Sequence, residues 1–134
     1  MNKSLEVQKL VIQSVKTIEY INTNKVQVFS SVPMFAKMPY IKLAGLSTEN
    51  IGLDIQRFTI DLFVATNGKN NKQILEIMEE LYNNLPEKMN NYLAENQNDF
   101  SIIIQDVFTA NFNITEDLRN DIWCGHYNIQ IDIC

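Results

Sequence analysis

Apolar residues recur at helical spacing over residues 3–21. Six of them form a single stripe: Val7, Leu10, Val11, Val15, Ile18 and Ile21. A stripe of this kind is typical of an amphipathic helix that buries one side, so the pattern predicts a helix over 3–21. Leu5 and Ile12 fall on the opposite side, which means that they are either partly exposed or in contact with something outside the fold.

A second helical stripe begins after residue 70. It is formed by Ile74, Leu75, Met78, Leu81, Tyr82 and Leu85. Asn70 can cap this helix, with Gln73 three residues on as its capping-box partner. Pro86 removes one helical hydrogen bond, yet Met89 and Leu93 continue the stripe in phase. The pattern therefore predicts either a kink or a break and restart at Pro86.

Alternation of apolar and polar residues marks the strands. It runs over 54–66, over 100–114 and, most clearly, from Trp123 to the end of the chain, and each stretch predicts a strand with one buried face. In the 100–114 strand the inward side is predicted to hold Ile102, Ile104, Phe108, Ala110, Phe112 and Ile114. A further strand is predicted over 40–46, between an irregular proline-stiffened arm at 32–39 and a loop around 47–53. Residues 25–31 are short and β-prone.

The order of the predicted elements is α-β-β-α-β-β. We expect one α+β domain over residues 1–134, with a four-stranded, mainly antiparallel sheet and the two main helices packed on one face. Because each strand is apolar on one side only, the other face of the sheet is expected to be wet or to contact a partner.

Composition and charge mainly exclude classes of function. The chain is 46% hydrophobic and 20% charged, with a net charge of −5 and scattered basic residues, which makes it a poor candidate for clamping nucleic-acid phosphates. It lacks the apolar core of a signal peptide and any run near the roughly 20 residues that span a bilayer, so we expect a protein made in the cytoplasm with no membrane partner. Cys124 and Cys134 are expected to be free thiols.

Candidate chemistry is sparse. Cys124 and His126 lie two apart on one strand face, with Asp132 further along it. Zinc requires three or four converging ligands, and a Cys–His nucleophile requires an orienting group, so a polar strand face is the better interpretation. Glu76, Glu79 and Glu80 are interpreted as solvating charges on the second helix; all in all, we expect no catalytic, cofactor or metal site.

Four segments, taken in order, resemble the tail-terminator or tail-completion proteins of long-tailed bacteriophages. After the N-terminal helix come Val-x-Val-Phe-x-x-Val-Pro at Val26–Pro33 and Met-Pro-Tyr-Ile-Lys-Leu-Ala-Gly at Met38–Gly45. A strand of the Phe-Thr-Ile-Asp-Leu-Phe-Val type follows at Phe58–Val64, ahead of Asn67-Gly68 and a helix. A strand, a charged loop and a closing strand with His126 near its start complete the likeness, which covers nearly the whole chain.

This resemblance implies a structural function. Members of that family form a ring, generally a hexamer, on the head-proximal end of the tail tube, where the ring stops polymerisation of the tube and offers the head-joining surface. The expected partners are further copies of this chain, the tail tube protein and the head connector protein, and DNA passes through without specific binding. The expected location is the host bacterial cytoplasm during assembly and then the virion tail.

Two alternatives remain open. The chain could be another head–tail connector or stopper component, which also acts by ring assembly. It could instead be a small enzyme or ligand-binding α+β domain, which should show a pocket with converging polar groups.

Two sets of residues are candidates for the roles that a ring requires. Prolines lower the entropy lost when an arm docks, which favours subunit contacts through the 32–39 arm and the 47–56 loop. The candidate contact residues are Pro33, Met34, Phe35, Lys37, Pro39, Ser47, Glu49 and Asn50. The net charge and the passage of DNA favour an acidic channel, for which the candidates are Glu49, Asp54, Asp61 and Asp117.

Overall fold

The computed structural model describes residues 3–31, 33, 36–117 and 120–134. Two helices open the chain, α1 (Lys3–Lys16) and α2 (Glu19–Thr23). Strands β1 (Gln27–Phe29), β2 (Tyr40–Gly52) and β3 (Ile55–Asn67) follow. Helix α3 (Lys72–Glu95) and a short 3-10 turn (Gln97–Asp99) lead to strands β4 (Ile104–Asp117) and β5 (Ile122–Ile133).

The sheet has five strands and is mixed, in the order β1-β2-β3-β5-β4. The expected four-stranded, mainly antiparallel sheet is therefore wrong, although the α+β class stands. The difference lies in β1, which pairs parallel to the start of β2 with Gln27 opposite Tyr40 and Phe29 opposite Lys42. In a parallel pair the chain must return to the same end of the sheet before the second strand begins, and here it does so between Phe29 and Tyr40.

The N-terminal helix is broken rather than continuous over 3–21. At the end of α1 the amide groups of Thr17 and Ile18 bond to carbonyls three residues back, and Ile18 then adopts an extended conformation. Ile18 and Ile21 remain buried, which explains why the apolar stripe continues across the break. In α2, Tyr20 donates a hydrogen bond to Glu76 of α3; burial and this bond raise the pKa of Tyr20 to about 12.

The loop predicted around 47–53 is instead the outer part of a long hairpin. β2 runs to Gly52, and Leu53 and Asp54 make the turn into β3, with Asp54 at a positive φ of 60°. The small and polar side chains of this segment favour a loop. Its backbone nevertheless pairs with β3, because strand formation depends on context more than on intrinsic propensity. Gly45 does not end the strand. A β-bulge lies between Leu43 and Gly45, and β2 continues to pair with β3 after it.

Helix α3 passes through Pro86 without a break, so the predicted break and restart is wrong. Leu85 and Met89, on either side of the proline, are fully buried, and packing of this face offsets the lost hydrogen bond. The cap lies one residue later than predicted: Asn71 holds the cap position, and the Asn70 side chain accepts a hydrogen bond from the Lys72 amide at 3.1 Å.

Two bulges in β4 reverse the predicted inward side only between them: Ile102, Ile104, Phe112 and Ile114 lie on the core side as predicted, whereas Phe108 and Ala110 do not. Extra residues at Gln105 and Ala110 shift the register against β5. Each bulge sends the following side chains to the other face. Val107 and Thr109 therefore pair with the core positions Ile131 and Ile129, whereas Phe108 lies on the far face beside Arg57.

The core lies between the helices and one face of the sheet. Strands β3 and β5 supply its sheet side as fully buried residues at every second position: Phe58, Ile60, Leu62, Val64, Tyr127, Ile129, Ile131 and Ile133. Gly125 lacks a side chain at a point where one has no room, since a Cβ there would be 2.7 Å from the sulfur of Met78. The buried Glu6 accepts hydrogen bonds from Ser101 at 2.6 and 2.9 Å, which fixes α1 to the start of β4.

Candidate assembly surfaces

The face of the sheet opposite the core carries the alternate residues of β2, β3, β5 and β4, and we call it the helix-free face. On β3 and β5 most of its side chains are half-buried by their neighbours within the sheet, and Ala65 and Asp132 are buried. It is mainly polar, in contrast to the core face. Two rows of side-chain contacts, one charged and one aromatic, run across its strands.

A charged row crosses the face near the β2–β3 turn. The register places Glu49, Arg57, Asp132 and Asp106 side by side on four neighbouring strands. Arg57 donates two hydrogen bonds to Asp132, at 2.8 and 3.0 Å, and its guanidinium lies 5.0 Å from the ring centre of Phe108. The bond to Asp132 raises the pKa of Arg57, and the nearby Glu49 and Asp106 add to the effect. The one cation in this row is thus already matched by carboxylates.

An aromatic row crosses the same face nearer the other end. Rings stack at tilted angles from Phe29 to Tyr40 (6.3 Å), from Tyr40 to Phe63 (6.5 Å) and from Phe63 to His126 (5.1 Å). Lys42 lies 5.1 Å above the Phe63 ring. The row joins β1 to β5 across the sheet and so stiffens this part of the face.

His126 lies in this row, on the open sheet face. Its Nδ1 is 3.1 and 3.2 Å from the two carboxylate oxygens of Asp61. Cys124, His126 and Asp132 do share one face, but Asp132 is held by Arg57 and lies six residues along the strand from His126, or roughly 20 Å at the usual rise per residue. These three side chains do not converge on a common point.

No group of three or more His, Cys, Asp or Glu side chains in the described ranges is arranged to hold a metal ion. Within the same ranges, none of the helices has the length and apolar character needed to cross a bilayer.

The β2–β3 hairpin projects along one end of the molecule. Its outer residues Ser47, Glu49 and Asn50 are exposed, and the turn residue Leu53 is 91% exposed. A cleft of about 820 Å³ separates the hairpin from the first turn of α1 and from Cys134. Three of the candidate contact residues are therefore strand residues at a free edge rather than loop residues.

The arm before β2 holds the other candidate contact residues. Pro33 and Lys37 are exposed, and Pro39 is half-buried next to β2. The Ala36 amide bonds to the Pro33 carbonyl at 3.1 Å. Met34 and Phe35 lie outside the described residues.

The four candidate channel residues do not lie together. Glu49 and Asp61 are on the helix-free face, where Glu49 pairs with Arg57 and Asp61 pairs with Asn128. Asp54 is at the hairpin turn, at one end of the face. Asp117 ends β4 at the opposite end, and its side chain lies outside what the structure describes.

Sequence reasoning missed an apolar patch beside β4. Leu75 and Tyr82, which were predicted as part of the buried stripe of the second helix, are 41% and 55% exposed. Phe112, predicted inward, is 38% exposed and stacks edge-on against Tyr82 at 6.3 Å. Leu75 and Tyr82 lie at the margin of the buried face of α3, so their angular position on the helix indicates exposure although their residue type does not.

Comparison with known proteins finds similarity in fold and not in sequence. No family model matches the chain, and no curated protein matches it. Among solved structures, a chain of the "Virion of native gene transfer agent (GTA) particle" superposes with a TM-score of 0.60, over 92% of this chain and 90% of that chain, at 8% identity. This protein has the fold of that virion chain. At such low identity the likeness establishes the fold and leaves the function to be argued from surfaces.

Proposed function

We propose that this chain is a structural protein of a phage-like particle, a tail terminator that caps the head-proximal end of the tail tube as a ring. The observation that carries the proposal is the fold shared with a chain of the gene transfer agent virion, over 92% of this chain and 90% of the other. The ordered sequence segments that resemble tail terminators favour the same class.

In this proposal the helix-free face lines the channel of the ring. Among its described residues, the carboxylates Glu49, Asp61, Asp106 and Asp132 outnumber the cations Lys42 and Arg57. Negative charge repels the phosphates of passing DNA, and Arg57, which would otherwise attract them, is already bonded to Asp132. Asp54 and Asp117 extend the acidic lining toward the two ends of the sheet.

The arm and the hairpin supply contacts to neighbours and to the tube or the head. Pro33, Lys37, Ser47 and Asn50 are exposed at one side or end of the fold. Met34, Phe35, Pro39 and Glu49 complete this proposed contact set. A head-to-tail contact that closes on itself makes a ring and leaves no growing end, which is the property a tube terminator needs.

Electron microscopy of particles assembled without this protein tests the proposal. A terminator stops tube growth, so its loss is expected to give tails of uncontrolled length that fail to join heads. Restoring the wild-type gene should return tails to uniform length.

The same micrographs separate the runner-up, a connector or stopper component. Loss of such a protein leaves tails of normal, uniform length that are not joined to heads. Normal particles with attached tails in the absence of the protein would eliminate both structural roles.

A further inference from the structure

Two helices carry outward stripes with identical spacing and opposite charge. On α1 the stripe is Leu5, Lys9, Ile12 and Lys16; on α3 it is Leu75, Glu79, Tyr82 and Pro86. Both follow the i, i+4, i+7, i+11 pattern that places residues on one side of a helix. We call them the α1 stripe and the α3 stripe. Ile12 is itself buried, at 7% exposure, so Leu5 is the exposed apolar residue of the α1 stripe.

The two stripes face opposite edges of the sheet. Leu5, Lys9 and Ile12 line a hollow of about 210 Å³ that also includes Ser30, the residue directly after the edge strand β1. Glu79 and Tyr82 line a hollow of about 320 Å³ together with Phe112 of β4, the strand at the other edge. A contact between the stripes therefore joins different sides of two copies.

Each stripe presents apolar surface that the fold does not cover. Leu5 is 63% exposed on the α1 stripe, and Tyr82 with Phe112 forms an exposed aromatic pair at the α3 stripe. That pair has a rigid base, because Phe112 also stacks against the buried Tyr127 at 6.4 Å, and the Tyr127 hydroxyl bonds to Thr109 at 2.8 Å. Fixed aromatic rings lose little entropy on binding, which suits them to an interface.

The charges around the apolar centres are complementary. The α1 stripe carries Lys9 and Lys16, while the α3 side carries Glu79 and, on β4 beyond Phe112, the exposed Glu116. Opposite charges at the rim of an apolar contact fix its register and exclude wrong pairings. An α1 stripe facing another α1 stripe, or an α3 stripe facing another α3 stripe, would bring like charges together.

We propose that the α1 stripe of one copy packs on the α3 stripe of the next copy in the ring. Leu5 enters the hollow between Tyr82 and Phe112, and Lys9 meets Glu79. The contact is heterologous, so repeating it with a rotation that closes builds a ring rather than a dimer. This inference rests on the proposed ring function and names the lateral contact of that ring.

The test uses two charge reversals in the full chain, Lys9→Glu and Glu79→Lys, with mass measured by native mass spectrometry and sedimentation over a concentration series. Wild type is expected to associate into closed rings. Each variant alone has like charges at every contact, so its dissociation constant should rise at least about tenfold. Lys25→Glu and Glu87→Lys make the same charge changes off the stripes and should leave association unchanged.

An equimolar mixture of the two variants gives the decisive measurement. Where the two variants alternate, the introduced carboxylate faces the introduced amine at one contact, and the unchanged Lys9 faces the unchanged Glu79 at the next. Rings with an even number of alternating subunits should therefore reappear. Recovery of dimers only would show an isologous contact and overturn the proposal. Rings formed by either variant alone would also overturn it, while leaving the ring function standing.

Leu5→Glu provides a second route, because Leu5 is largely exposed and its replacement is compatible with folding, which circular dichroism checks. This variant should also fail to associate, since a carboxylate would enter an apolar hollow next to Glu79. A wild-type chain that stays monomeric at every concentration would contradict the stripe contact by itself. The terminator function is tested separately, and it would fall if particles lacking the protein had tails of normal, uniform length.

Discussion

The two faces of the sheet are made by the same strands and differ in almost every property. On β3, Ile60 is fully buried under the helices, while its neighbour Thr59 lies half-buried on the helix-free face near Gln130. The core face is mainly apolar, whereas the helix-free face consists mainly of paired charges, amides and stacked rings. One face therefore holds the molecule together, and the other is available for contact with something else.

This difference separates residues that stability requires from residues that it does not. A side chain on the core face cannot change without altering packing, because interiors are close-packed. A polar side chain on the helix-free face is constrained only by its neighbours within the sheet. Substitutions on the two faces should consequently differ in which property they affect.

The largest expected effect comes from Ile60→Ala. Removing a fully buried side chain leaves a cavity in the core, which should lower the free energy of unfolding by about 2–5 kcal/mol. Thr59→Ala, one residue away on the other face, should change it by only about 0.5 kcal/mol or less. Urea unfolding followed by circular dichroism measures both, and equal losses would contradict the division between the faces.

A smaller effect is expected from Asp132→Asn. The change removes the charge that receives both hydrogen bonds from Arg57, so the urea midpoint should fall, but by less than in Ile60→Ala. Arg57 stays partly in contact with water and keeps Glu49 and Asp106 nearby, which limits the loss. Asp106→Asn, at an exposed position, is the matched control and should move the midpoint less than Asp132→Asn does.

The smallest effect on stability is expected from Glu49→Gln combined with Asp61→Asn, which should nevertheless affect function. If the helix-free face lines the channel, removing these charges weakens the repulsion between the channel wall and the DNA phosphates. Ejection of DNA from assembled particles should then slow, while assembly proceeds normally. Glu87→Gln, on the outer side of α3, is the control and should leave ejection unchanged. An ejection rate identical to wild type in the double variant would remove the channel assignment.

Periodicity predicted the parts of the fold that packing governs. The buried faces of α1 and α3 and the alternation in β3 and β5 follow from burial on one side, and all four elements are present. The expected polar, uncovered face of the sheet is also present, because Thr59, Asp61 and Asn128 alternate with buried neighbours on the same strands.

The parts that the sequence did not predict depend on pairing between backbones. β1 is only three residues long, and it is a strand because its backbone pairs with the start of β2. No local pattern in the sequence reveals that pairing. Ser47 to Asn50 have loop-like side chains but a paired backbone. The bulges at Gln105 and Ala110 are single unpaired residues, and each reverses which side of β4 faces the core.

The candidate surfaces show the same division. Leu5 and Ile12 both lie opposite the predicted buried stripe of α1. Leu5 is exposed as expected, whereas Ile12 is buried within the fold, so that part of the prediction is wrong. The sequence predicts Tyr82 and Phe112 as core residues, because their apolar side chains count for more in such a prediction than their marginal positions on the helix and the strand. Whether such residues are covered depends on how far the sheet extends beneath them, and β4 is the last strand at that edge.

The unpaired residue at position 110 leaves a trace that sequence comparison can find. Thr109 and Asn111 pair with neighbouring positions of β5, Ile129 and Asn128, so Ala110 can be removed without disturbing any other pair in the ladder. Over evolutionary time the outermost strand is therefore free to gain or lose one residue here. Alignments of distant relatives should accept a single-residue gap at this point, because an ungapped alignment would place core positions of one protein against surface positions of the other.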